Sequence, residues 1–62
     1  MQEYICKVTC KFEDGSIIFT KDQSYISLDT IGVLAVFIDD QGNKHEVDKR
    51  YLTKNFELNK EW

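Results

Sequence analysis

The sequence predicts a small, mainly β domain: a small barrel or meander of four to five antiparallel strands with a short C-terminal helix. Three observations carry this. Residues 4–12 alternate apolar and polar with period two, the pattern of a half-buried strand. Glycine-containing turn sequences, Asp14-Gly15 and Gln41-Gly42, break the chain at short intervals between β-branched and aromatic runs. The texture then changes at Asp48, where Leu52 and Phe56 fall four apart, one helical turn.

The first strand, Tyr4 to Phe12, puts Tyr4, Cys6, Val8, Cys10 and Phe12 on one face and Lys7, Thr9 and Lys11 on the other, with Ile5 the one apolar exception. Asp14-Gly15 as a two-residue type I′ loop pairs Phe12 with Ile17 and Cys10 with Phe19. A three-residue loop shifts the register and turns Ile18 inward; the first register matches the apolar residues better. Lys21 to Ser24 reads as a turn, Tyr25 to Asp29 as a strand with Ile26 and Leu28 sharing a face, and Thr30-Ile31-Gly32 as the next turn. Val33 to Asp39 is apolar on both faces, which marks a central strand. Asp40 to Asn43 is a second hairpin loop with Gly42 at a left-handed bulge position, and Lys44 to Asp48 is the returning strand. Asp48 is an N-cap for a helix near 48–54. Beyond that, helix continues or a closing strand runs through Asn55 to Leu58.

The 62 residues make one domain, 1–62. A chain of this size hides about 60% of its unfolded surface, so the core is small. It is 42% hydrophobic and 13% aromatic, with a net charge of −3, which argues against disorder. No apolar run reaches the ~20 residues of a membrane span. No basic stretch precedes an apolar block at Met1-Gln2-Glu3-Tyr4, so the expectation is a cytoplasmic chain.

Chemistry is harder to find. Eight Lys and Arg stand against 11 Asp and Glu. Neither half is basic, so nucleic-acid binding through a basic stripe is disfavoured. Cys6 and Cys10 on one extended strand would lie about 13 Å apart, too far for a disulfide or a shared metal, and read as buried reduced thiols. His45 is the single histidine, so no zinc site can be assembled, and it reads as a strand-face residue. Asp39-Asp40 reads as a solvated turn pair. The expectation is no enzyme, no cofactor and no metal.

The run Ile18-Phe19-Thr20-Lys21-Asp22-Gln23-Ser24-Tyr25 resembles the Phe-Thr-Lys-Gly-Lys-x-Tyr segment of small phage and prophage proteins of Gram-positive bacteria. The acidic hairpin Asp39-Asp40-Gln41-Gly42, the strand Lys44-His45-Glu46-Val47 and the aromatic turn Tyr51 to Phe56 follow in the same order. The chain departs at Asp22, where those proteins usually carry Gly. The resemblance implies an SH3-like fold and a viral origin, without shared catalytic residues.

Together these readings predict a non-enzymatic, phage-derived protein-binding module, an inhibitor of a host factor such as a defence or replication protein. The alternatives are a nucleic-acid-binding small barrel, with Lys7, Lys11 and Lys21 on one face of the first hairpin, and a virion accessory module. The second face of Val33 to Ile38 needs a cover, either the C-terminal segment through Leu52 and Phe56 or a partner. Tyr4, Tyr25, Tyr51 and Trp62 exceed what so small a core easily absorbs. The candidate contact residues are Tyr25, Ile26, Leu34, Val36, Ile38, Asp39, Asp40 and Trp62. A homodimer at micromolar concentration, through Tyr25, Ile26 or the outward side of the central strand, is a further expectation.

Overall fold

A computed structural model describes residues 2–31 and 34–62. Among the described residues eight strands and one helix follow in order: β1 (Gln2–Cys6), β2 (Cys10–Lys11), β3 (Ile17–Phe19), β4 (Ser24–Ser27), β5 (Asp29–Ile31), β6 (Leu34–Ile38), β7 (Lys44–Asp48), α1 (Lys49–Asn55) and β8 (Phe56–Glu61). The fold is mainly β, and its described strands pair antiparallel in three separate sheets, β4-β1-β8, β2-β3 and β5-β6-β7. Only Leu28 separates β4 from β5, and its amide donates to the Val36 carbonyl at 2.8 Å. The run from Ser24 to Ile31 therefore borders both three-stranded sheets. Among the described residues no helix is long and apolar enough to cross a membrane.

The long first strand is broken. β1 stops at Cys6 because its ladder partners change. The Asp22 amide takes the Cys6 carbonyl at 2.8 Å, and the Lys7 amide turns away to the Asn55 carbonyl at 2.7 Å. The chain bends at Lys7 to Thr9 before β2 begins. The expected single face is therefore split: Cys6 and Cys10 are buried, whereas Val8 and Phe12 are exposed.

The two hairpin loops share one construction. In the first, the Phe12 amide donates to the Ser16 carbonyl at 2.9 Å and the Gly15 amide returns to the Phe12 carbonyl at 3.0 Å. In the second, Asp39 and Asn43 pair at 2.9 Å, with Gly42 returning to Asp39 at 3.0 Å. Gly15 at φ 89° and Gly42 at φ 82° each hold the left-handed position that closes such a loop. The bulge expected at Gly42 is present. The type I′ turn expected at Asp14-Gly15 is not, because Asp14 lacks a positive φ and instead accepts from the Ser16 amide. A bulge between Cys10 and Lys11 restores the expected Cys10–Phe19 pairing but puts Lys11 opposite Ile17. Ile18 is consequently buried and Ile17 exposed.

β5 takes in residues that the sequence assigned to a turn. Thr30 and Ile31 belong to a strand, with Ile31 opposite Leu34. Gly32 and Val33, read as turn and strand start, lie outside the described residues.

The helix starts where expected. Asp48 Oδ1 accepts from the Tyr51 amide at 2.7 Å, the bond of an N-cap. Phe56 ends the helix in extended backbone and opens β8, so the closing strand is the correct alternative. Lys7 Nζ donates to the Thr53 carbonyl at 3.2 Å, placing a cation on the helix's last turn.

The core is aromatic. Phe19 makes edge-to-face contacts with Tyr25 (4.9 Å), Phe56 (5.1 Å) and Phe37 (6.0 Å), while Phe37 and Phe56 stack at 5.2 Å with 8° between planes. Such pairs are worth about 0.5–1.5 kcal/mol each beyond area burial. Tyr4, Tyr51 and Leu52 pack against this cluster. The core thus absorbs three of the four aromatics expected to be in excess, and only Trp62 remains outside. Leu52 and Phe56 join this core.

Candidate functional site

The central strand β6 presents two faces because side chains alternate along it. Ala35 and Phe37 point into the core, opposite Val47 and His45 of β7. Leu34, Val36 and Ile38 share the other face, opposite Asp48, Glu46 and Lys44. The result is an apolar stripe with a charged row along one side: two acids and, beside Ile38, one base. Leu34 is half-buried, Val36 is buried although outside the main cluster, and Ile38 is 41% exposed. Leu28, at the joint of β4 and β5, is also exposed. The exposed apolar part of this face is Ile38 at one end of the stripe, beside the charged row, and an apolar side chain rimmed by charges is a feature of protein contacts.

The other residues singled out in the sequence divide. Tyr25 is buried, with its ring against Phe19 and its hydroxyl on Asp40 Oδ1 at 2.7 Å. Burial, followed by the contact with Asp40, pushes its phenol up to about 12. It is therefore a core residue and presents no contact surface. Ile26 is half-buried on β4. Trp62 is 59% exposed, with the Lys60 ammonium 5.1 Å from its ring centre, the range of a cation–π contact.

Asp39 and Asp40 are not a solvated pair. Asp39 is only 5% exposed, and its Oδ1 accepts from the Gln41 and Asn43 amides at 2.9 and 3.0 Å. His45 Nδ1 lies 3.6 Å from its other oxygen. Asp40 is exposed but spends both oxygens on Tyr25 and on Thr20 Oγ1 at 2.6 Å. Both acids brace the loop. For Asp40 the adjacent acids gave no sign of this, since its partners, Tyr25 and Thr20, are remote in sequence.

The cysteines are buried free thiols, as expected, but they lie closer together than expected. Cys6 Sγ and Cys10 Sγ both donate to the Val8 carbonyl, at 2.9 and 3.3 Å. The bend at Lys7 to Thr9 removes the 13 Å separation an extended strand would impose. The Tyr51 hydroxyl lies against Cys10, and burial with that contact pushes its phenol up. Among the described residues no group of three or more His, Cys, Asp or Glu is placed to hold a metal ion. Lys7, Lys11 and Lys21 are exposed, but Lys7 is committed to the helix end.

Comparison with known protein-family models, curated proteins and solved structures finds no match for this chain.

Proposed function

We propose that this chain is a non-enzymatic, phage-derived protein-binding module that docks on a host protein, a defence or replication factor, and inhibits it. The observation that carries the reading is the exposed Ile38 at the end of the Leu34–Val36–Ile38 stripe, beside the row of Lys44, Glu46 and Asp48. Apolar area gives such a contact its affinity, and the mixed charges fix register and exclude wrong partners. The phage origin and the SH3-like arrangement rest on the resemblance of residues 18–25 and the segments after them. The run Ser24 to Ile31, bordering two sheets, supports the arrangement. The same face serves self-association when no partner is present, and the module works in the host cytoplasm.

A photo-crosslinking side chain at position 38, compared with one at position 57 on β8, tests the docking face in host lysate. The reading expects one dominant adduct from position 38, absent from position 57, whose purified protein loses activity when the module is added. Identical adducts from both positions, or only abundant chaperones and ribosomal proteins, would overturn it.

A further inference from the structure

We propose that Cys6 and Cys10 form an intramolecular disulfide on mild oxidation, stapling the end of β1 to the start of β2 across the bend at Lys7 to Thr9. Two thiols donating to one carbonyl oxygen, at 2.9 and 3.3 Å, have their sulfurs gathered around a single atom. Cys6 is fully buried and Cys10 is 7% exposed, so Cys10 is open to a small molecule while Cys6 faces only its neighbour within the fold. The bend is held independently of the sulfurs. The Lys7 amide is bound to Asn55, and Thr9 Oγ1 accepts from the Lys21 amide at 3.1 Å. The fold therefore keeps the pair together without any bond between them.

The oxidant is a small-molecule disulfide such as oxidised glutathione. Cys10, the more exposed thiol, loses its proton and attacks one sulfur of that disulfide, forming a mixed disulfide and releasing one thiolate. The Cys6 thiolate then attacks the Cys10 sulfur and releases the second. The protein gives up two electrons and two protons, and the small disulfide leaves as two thiols. Burial pushes the Cys6 thiol up to about 11, so exchange is slow at neutral pH and quickens as the medium becomes alkaline. The bond removes both S–H donors from the Val8 carbonyl, which the exposed bend leaves open to water.

The test is equilibration of the intact chain with glutathione redox buffers, acid quenching, alkylation of remaining thiols and mass measurement. The same series is run on the urea-unfolded chain. The expected product is a monomer lighter by two hydrogens, carrying no glutathione. Its equilibrium constant should be larger for the folded than for the unfolded chain, by about tenfold. A folded chain that yields only glutathione adducts or cross-linked dimers, or a constant no larger than the unfolded one, would overturn the proposal.

Discussion

The Tyr25 hydroxyl donates to Asp40 Oδ1 at 2.7 Å while accepting from the Thr20 amide at 2.8 Å. One phenol thus joins the turn after β3 to the β6–β7 loop. Removing that oxygen with Tyr25→Phe leaves the ring packed against Phe19 but strips the Thr20 amide of its acceptor and Asp40 of a donor. The expected loss is about 1–2 kcal/mol in urea unfolding. Asp40→Asn, which retains an acceptor oxygen, should cost less. Equal stability of Tyr25→Phe and the parent would show that water replaces both bonds.

Alkaline pH should unfold the protein. Burial raises Cys6 from 9.0 to about 11 and Tyr25 from 10.0 to about 12. The folded state therefore holds the protonated forms, and their contribution is complete below the unfolded pKa values. It is lost as the unfolded chain ionises first, from about pH 9 upward, and is gone above pH 12. Circular dichroism across this window should show stability falling as pH rises. Tyr25→Phe should flatten the fall in its upper part; an unchanged slope would remove Tyr25 from the account.

Most strands, the helix and its Asp48 cap were legible from period, turn glycines and the change of texture at Asp48. The break between Cys6 and Cys10 was not. Alternation through Tyr4 to Phe12 is unbroken, and the bend comes from bonds to Asp22 and Asn55, far away in sequence. The burial of Asp39 and Tyr25 was not legible either. A pattern of residue types shows that a carboxylate sits in a turn, but its burial depends on what packs over it. The Leu34–Val36–Ile38 stripe was legible because an alternating strand exposes both of its faces to reading. Its rim of Lys44, Glu46 and Asp48 needed the register of β7.

Backbone conformation gives a sharper pair of substitutions. Asp22 is the one described non-glycine residue with positive φ, at 70°. Asp22→Gly should be neutral or stabilising by up to about 1 kcal/mol, since relief of the left-handed conformation offsets the chain entropy glycine adds. Gly15→Ala should destabilise by about 1–2 kcal/mol. No atom lies within 4 Å of a Cβ built at Gly15, so that cost is conformational alone. Thermal melts of the two variants should shift in opposite directions or leave Asp22→Gly in place; a destabilised Asp22→Gly would mean that the carboxylate itself holds the turn.

Phe56 and Leu52 should separate in cost although both lie on the C-terminal segment. Phe56 is buried between Phe19 and Phe37, and Phe56→Ala empties the centre of the aromatic cluster at about 3–5 kcal/mol. Leu52 is half-buried at the margin, so Leu52→Ala should cost about 1–2 kcal/mol by the smaller area it returns to water. For a domain this small the first change removes most of the total stability. Urea titration measures both, and equal costs would mean that Leu52 anchors the helix more firmly than its burial implies.

Ile38 decides whether the outer face of β6 is a contact. Its side chain is 41% exposed at the end of the stripe, opposite Lys44 on β7. Ile38→Asp places a charge in the stripe without entering the core, where Phe37 points the other way. Each 100 Å² of apolar surface hidden in a contact contributes about 2.5 kcal/mol, which an inserted carboxylate forfeits while adding its own desolvation. If two copies associate through this face, sedimentation at tens of micromolar should show a dimer of the parent chain and a monomer of Ile38→Asp, with matching melting temperatures after dilution to the monomer range. A dimer that survives Ile38→Asp would move the contact elsewhere, and β8, an edge strand exposed from Glu57 to Glu61, would become the next surface to substitute.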